Sequence, residues 1–392
     1  MDRKTIHDVE VRNKCVLVRA DLNVPLADGR VADGTRIRAA IPTLEYLLAR
    51  SAVVILCSHL GRPGGKCVPG LSLRIVAPEL ERALGRRVNF VEDCFGEMAR
   101  RAAQRLQSGE ILLLENTRFH DGEKQNDPQM ARGLADLADV FVNDAFGSAH
   151  RVHASTVGVA QELPAVAGLL LEKELEYLGL ALHRPARPFV AILGGAKISD
   201  KIGVIESLLE RADSVLIGGG MANTFMRARG IEMADSLVEE SAVDMASTLL
   251  QQAGDKLVLP VEVVIADSFE ADAAFRSIPS GAGVPTGWRI LDIGPATVEQ
   301  FSSLVCTAGL VFWNGPMGVF ELPPFALGTN GLARLVAEGS ATSIVGGGDS
   351  VAAVRQSGLA DEITHISTGG GASLEFLQGK ILPGVAALDL SH

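Results

Sequence analysis

Four short polar clusters in the first half of the chain each close a run of aliphatic and β-branched residues. Arg19, Asp21 and Asn23 end KCVLVRADL, just before Pro25. His59 and Arg62 lie in SHLGRP, Arg118 in LENTRF, and Arg151 and His153 in NDAFGSAHR. Arg36 opens the helical pattern after the first run. In open parallel sheets ligands bind beyond the carboxyl ends of the strands, where all of these residues fall. Positive groups gathered on one rim repel each other unless an anion completes them, and the guanidinium fork suits carboxylate and phosphate. Asp21 and Asn23 can bind a hydroxyl of the same ligand. Any one of these arginines is equally an ordinary surface residue paired with a nearby acid. Taken together with His59, Arg36, Arg62, Arg118 and Arg151 point to a small, doubly anionic ligand. His150 and His153 have no neighbouring Cys or carboxylate in the sequence to complete a metal site.

The second half is equipped differently. GGAKISDK (194–201) lacks the Gly-Lys-Ser/Thr ending of a Walker loop, which excludes that site. Lys197 and Lys201 are four residues apart and share a face if a helix starts there. Three glycine runs follow strand-like segments: GGGMA (218–222), GGGDS (346–350) and STGGGAS (367–373). Each is either an anion cradle or a tight turn, and three of them with two lysines indicate a polyphosphate ligand. Within IVGGGDSV, Asp349 stands where phosphate alone would be repelled. It is either a helix N-cap or the holder of a magnesium ion that bridges phosphates. Glu321, beyond the Gly–Pro turn of WNGPMGVFE, is either a second functional acid or a solvated loop carboxylate.

These residues need a scaffold, and the pattern supplies one. Short β-branched runs alternate with longer helical segments, the signature of a parallel α/β sheet. The first half offers KCVLVRADL, AVVILCSH, RVNFV, EILLLEN and DVFVNDAF as strands. The second offers FVAILGG, SVLIGG, LVLPVEVVIAD, RILDIG, LVFWNG, TSIVGGG and ITHIST. Between the halves, residues 163–182 place Leu171, Leu175, Leu178 and Leu182 on one helical face, with Pro164 in the first turn and HRPARP as the stop. This helix is either an interdomain connector or one more sheet-packing helix. At 392 residues the chain exceeds one ordinary core, so two domains are expected.

The net charge is −11; residues 1–180 hold 23 Lys+Arg against 24 Asp+Glu, and residues 181–392 hold 13 against 23. Overall acidity argues against a nucleic-acid partner, while a nearly neutral half can still focus arginines on a small anion. The polar N-terminus lacks a secretory core, and the longest apolar runs are too short to span a bilayer. Five scattered cysteines without a C-x-x-C pair read as reduced thiols, so a cytoplasmic protein is expected.

RADLNVP, SHLGRP, LLLENTRF, DAFGSAHR, PAVAGLLLEKELEYL, LGGAKISDKI, GGGMANTF, WNGPMGVFE, GGGDS and STGGGASLEFL follow one another along essentially the whole chain. In sequence and order they resemble the signatures of the phosphoglycerate kinase family. The resemblance implies two Rossmann-like parallel-sheet domains joined by a hinge helix about a cleft. Residues 1–163 would bind 3-phosphoglycerate, 164–183 would connect, 184–372 would bind the nucleotide, and 373–392 would return to the N-terminal domain. Asp21, Asn23, Arg36, His59, Arg62, Arg118 and Arg151 would hold 3-phosphoglycerate. Lys197, Glu321, Gly347, Gly348, Asp349 and Ser350 would hold ADP or ATP, with Asp349 on Mg²⁺. The Gly369–Gly370–Gly371 turn and Lys201 would face the phosphates or the transferring phosphoryl group.

The implied reaction moves a phosphoryl group between 1,3-bisphosphoglycerate and ADP in a monomeric enzyme that binds neither nucleic acid nor membrane. Both nucleophiles are already anionic, so no general base is nominated. Arg36, Lys197 and Lys201 carry the catalytic charge. Ser350 replaces a usual threonine and keeps its hydroxyl, Asn223 replaces a usual phenylalanine, and Glu262 a common aspartate. The rivals are a catalytically silent nucleotide-binding protein of this fold, and a kinase acting on another carboxylate.

Overall fold

Which strand ends meet is decided by strand order, and the computed structural model describes residues 2–391. The chain divides into two units: one runs to Glu176 and resumes at Ile381, and the other is Tyr177–Lys380. In the first unit, β1 (Cys15–Ala20) is followed by a small antiparallel hairpin of β2 (Leu26–Ala27) and β3 (Arg30–Val31). Then come β4 (Val53–Cys57), β5 (Asn89–Phe90), β6 (Ile111–Leu113), β7 (Val140–Asp144) and β8 (Ala165–Ala167). The six-stranded sheet has the order β5-β6-β4-β1-β7-β8, and all its pairings are parallel. The chain winds outward from β1 through β4, then resumes on the other side at β7. The direction therefore reverses between β1 and β7, where such sheets open a crevice for ligands.

Val16, Val18, Val54, Leu56, Ile111 and Leu113 give one sheet face to the core. The helix Thr35–Leu48 covers it with Ile37, Ala40, Leu44, Leu47 and Leu48, at helical spacing. Its first turn leaves Arg36 free of that apolar face.

β8 lies inside the segment expected to be helical from residue 163; the helix itself is Leu169–His183. The apolar run LPAVAGLLL has no period that separates strand from helix. What separates them is Asp144, at the end of β7, whose Oδ1 accepts the Leu170 and Leu171 amides at 2.9 and 3.2 Å and so closes the helix start. A side chain at Gly168 would collide with that carboxylate. Leu171, Leu175 and Leu178 are buried as the stripe requires, and the boundary between the units falls within this helix, between Glu176 and Tyr177. The last segment bonds to the first unit: the Gly384 amide donates to Ala149 O, and the Asp389 amide to Ala165 O.

In the second unit, the main sheet contains β9 (Phe189–Leu193), β10 (Ser214–Ile217) and β11 (Leu257–Val258). A separate antiparallel sheet is made of β12 (Glu262–Ala266), β13 (Phe275–Pro279) and β14 (Arg289–Ile293). The main sheet resumes with β15 (Leu310–Asn314), β16 (Thr342–Gly346) and β17 (His365–Ile366), in the order β11-β10-β9-β15-β16-β17. This is the doubly wound dinucleotide-fold order, with its reversal between β9 and β15. LVLPVEVVIAD, expected to be one strand, divides at Pro260, which cannot donate to a ladder. Its second half and RILDIG join the antiparallel sheet rather than the parallel one. The connection between them, 267–288, is rich in turn residues and holds only β13 and the short 3₁₀ turn Ser280–Ala282, with no α-helix to make a parallel crossover. No helix among the described residues is long and apolar enough to cross a membrane.

Candidate functional site

In the first unit β6, β4, β1 and β7 are adjacent, so the polar clusters that follow them lie side by side. Arg36 Nη1 donates to Asp21 Oδ2 and to Asn23 O, each at 3.0 Å. Asn23 Oδ1 accepts the Gly61 amide at 2.8 Å, and Arg118 Nη1 donates to Gly61 O at 2.9 Å. One glycine turn thus fixes two site residues. Arg151 Nε donates to His150 Nε2 at 3.1 Å. Arg62 is exposed.

His59 is not one of the positive groups. Arg19, wholly buried, donates to His59 Nδ1 at 2.9 Å, so that nitrogen carries no proton. Burial, reinforced by Arg19, Arg118, Arg151 and Arg36, holds the imidazole well below its usual range. His59 therefore braces Arg19 as a neutral acceptor. Arg19 Nε also donates to Ser155 Oγ at 2.9 Å, and Ser155 Oγ to Glu123 Oε1 at 2.6 Å. Glu123 lies 3.7 Å from His153 Nδ1, a carboxylate partner invisible in the local sequence; burial pushes His153 down, against the pull of Glu123. Arg118 is pushed down to about 10 by burial and by Arg151 and Arg19, and its Nε is buried without a partner. An unmatched buried donor among like charges is a place for an anion.

In the second unit the sheet reversal lies between β9 and β15, and Lys201 spans it. Its Nζ donates to Gly194 O after β9 at 2.7 Å and to Asn314 O at the end of β15 at 3.1 Å. Burial pushes Lys201 down to about 8, with Asp349 and Asp200 working against the shift. Lys197 and Lys201 do not share a helical face, because the helix starts only at Ile202. Lys197 is exposed, and its charge acts on the Glu239 carboxylate.

The IVGGGDSV turn leads into the helix Gly348–Gln356, whose N-cap is Gly347. Asp349 is therefore not the cap but an exposed acid in the first turn. Gly347 has φ 95°, a region that favours glycine, and a Cβ there would lie 2.8 Å from Asn314 Nδ2. The buried Ser350 hydroxyl accepts the Gly315 amide and ties this turn to β15.

A cavity of about 510 Å³ opens beside this turn, lined by Gly195, Gly219 and Gly220 and walled by Leu237, Phe269, Leu291 and Val319. Glu321 and Asp349 line it as well. An apolar slot with glycine amides and a carboxylate at the rim suits a flat base joined to phosphates. Lys197, Lys201, Gly347, Gly348, Ser350 and the Gly369–Gly371 turn are not part of its lining. Gly369 to Gly371 follow β17, where the Gly369 amide donates to Ser367 Oγ. Sequence reasoning missed Arg289, Asp292 and Phe269, which belong to the antiparallel wall or its hairpin. The missing helix between β12 and β14 was the available signal.

A divalent ion fits this arrangement only together with phosphate. Among the described residues, the sole grouping of three metal-ligating side chains is Asp93, Cys94 and His120 in the other unit. Asp349 alone offers one carboxylate next to free helix amides, the kind of set with which Mg²⁺ takes its remaining oxygens from phosphate and water.

Two α/β units, one with an arginine rim at its sheet end and the other with a lysine and glycine turns, define a small-molecule kinase. The family model described as phosphoglycerate kinase matches residues 6–380. The phosphoglycerate kinase of Moorella thermoacetica is 59% identical over 391 residues, and that of Chloroflexus aurantiacus 57% over 397, each match covering 99% of both chains. The structure of phosphoglycerate kinase from Coxiella burnetii superposes with a TM-score of 0.89 at 41% identity, covering 98% of both chains. The chain belongs to the phosphoglycerate kinase family.

Proposed function

We propose that the chain catalyses reversible transfer of a phosphoryl group from the acyl phosphate of 1,3-bisphosphoglycerate to Mg·ADP, giving 3-phosphoglycerate and ATP. The observation that carries this reading is the gathering of Arg19, Arg36, Arg118 and Arg151 around a histidine that burial, reinforced by these arginines, keeps neutral. Such a rim binds a multiply charged anion and has no proton to give or take. Arg36, Arg118, Arg151 and exposed Arg62 bind the phospho-acid, and Asp21 and Asn23 its hydroxyl. The base enters the apolar cavity, and the Gly347–Gly348 amides and Ser350 meet the phosphates. Lys197 and Glu321 complete the nucleotide site.

Asp349 would hold the magnesium ion, which shields phosphate charge. Carboxylate and diphosphate nucleophiles are anionic already, so the chain's task is to position them in line and to neutralise the moving group. Lys201 and Arg36 do this, with the Gly369–Gly371 amides. Donor and acceptor are held by different units, so transfer requires the units to bring them into line. A radius of gyration in solution scattering that is unchanged by adding both substrates would count against that step. All of these groups come from one chain, which acts as a cytoplasmic monomer; a dimer mass in light scattering at working concentration would correct this.

The deciding assay is ADP release from MgATP with 3-phosphoglycerate, the acyl phosphate being trapped by a coupling dehydrogenase. Strict dependence on 3-phosphoglycerate is expected, with a loss of about 10²–10³ in kcat for Arg36→Ala. Nucleotide binding without turnover would establish the silent rival, and turnover with a different carboxylate the other.

A further inference from the structure

Away from the arginine rim, β5 and β6 pair side by side, Asn89 opposite Leu112 and Phe90 opposite Leu113. The loops leaving their ends bring Asp93 and Cys94 against His120. One ligand atom from each of the three lies within 4.8 Å of the others. His120 Nε2 is 2.9 Å from Asp93 Oδ1, and the ring is steadied edge-on by Phe95, with centroids 4.8 Å apart. Cys94 is wholly buried beneath them as a free thiol. The Asp93 and His120 side chains are each 36% exposed, so an ion can enter from solvent over them and reach the thiol.

We propose that Asp93, Cys94 and His120 form a binding site for a thiophilic divalent cation of the Zn²⁺ class, with a fourth position left to water. The donor set decides the class: one sulfur, one imidazole nitrogen and one carboxylate oxygen suit zinc, whereas Mg²⁺ and Ca²⁺ want oxygen alone. The surrounding field agrees. Asp93 and Glu123 add to burial in pushing the thiol up, a negative environment that a divalent cation reverses. On binding, the sulfur–metal bond forms as the S–H bond breaks and the proton passes to solvent. The Asp93–His120 hydrogen bond opens, and each partner turns a lone pair to the ion. Affinity therefore rises with pH. Because His120 follows Arg118 by two residues, the ion ties the loop carrying that arginine to the loop at Cys94. The site does not depend on the proposed reaction.

The test is a titration of the metal-free full chain with Co²⁺, in a Cys67→Ser/Cys306→Ser background that removes the two exposed thiols. A thiolate-to-cobalt charge-transfer band saturating at one equivalent, and abolished by Zn²⁺, is expected. Adding Cys94→Ser should eliminate the band. His120→Ala, at a partly exposed side chain, should weaken Co²⁺ binding by at least about tenfold. The absence of a thiolate band in the background protein would overturn the site. So would a titration unchanged by His120→Ala, a variant that still decides the matter if Cys94→Ser fails to fold.

Discussion

Replacing Lys201 with methionine keeps most of the side-chain volume and removes a buried charge. Burial places the Lys201 pKa at about 8, against an ordinary 10.5. That displacement corresponds to a penalty of about 3 kcal/mol on the charged form. At pH 8 roughly half of the free enzyme carries the charge. If Lys201 neutralises the moving phosphoryl group, kcat/KM for the nucleotide falls about tenfold per pH unit above about 8, since this parameter reports the free enzyme. Bound phosphate favours the charged lysine, so the corresponding limb in kcat lies at higher pH. In Lys201→Met the limb disappears and the rate is lower by about 10²–10³.

Stability gives an independent reading of the same group. The folded pKa lies below the unfolded one, so between pH 8 and 10.5 the folded state binds fewer protons than the unfolded state. The wild type therefore gains stability as pH rises through this window, and the variant does not. At pH 7 the variant escapes the desolvation cost but leaves the Gly194 carbonyl without its lysine donor, a loss of about 1–3 kcal/mol. Its stability thus remains within about 2 kcal/mol of wild type while its activity collapses. A coupled assay across this range with urea unfolding at matched pH measures both. An alkaline limb near pH 8 that survives in Lys201→Met would refute the reasoning.

Two other outcomes follow from the geometry. Burial and the surrounding arginines hold the His59 imidazole well below its usual range, so its ring protons show no NMR titration where an ordinary histidine changes; a midpoint at the ordinary histidine value would overturn its role as an acceptor. Gly347→Ala forces a side chain into φ 95° and to 2.8 Å from Asn314 Nδ2. It should cost about 1–3 kcal/mol in chemical denaturation and weaken ADP binding in calorimetry, whereas unchanged values for both would show that the turn adapts.

The strand-end residues were legible because sheet geometry makes the end of every strand a candidate position, and a motif such as SHLGRP shows its chemistry in six letters. What stayed hidden depends on partners distant in the chain. His59 reads as a cation until Arg19, 40 residues away, is seen donating to it. β8 reads as helix until Asp144 is seen closing the helix start 26 residues later. Lys197 and Lys201 read as an i, i+4 pair because nothing in GGAKISDK announces that the helix waits for Ile202. The antiparallel wall shows the opposite failure. The turn-rich stretch 267–288 was visible, yet alternation elsewhere in the chain outweighed it.

Both sites hold positive charge in places that disfavour it. Burial lowers Lys201 to about 8 and, together with neighbouring arginines, Arg118 to about 10. An arriving polyanion reverses this, because each unit of negative charge nearby restores the protonated form. At pH 8 Arg118 remains charged, whereas Lys201 is only about half charged. At pH 8 nucleotide binding should therefore draw about half a proton from the buffer as Lys201 becomes fully charged, and at pH 6.5 almost none. Calorimetric titration of ADP with magnesium, in two buffers of different ionisation enthalpy, measures that uptake directly. The same titration of Lys201→Met supplies the reference, since nucleotide and metal are unchanged. Equal uptake by the two proteins at pH 8 would mean that the lysine does not face phosphate. Uptake confined to the wild type would place its charge on the nucleotide before any chemistry occurs.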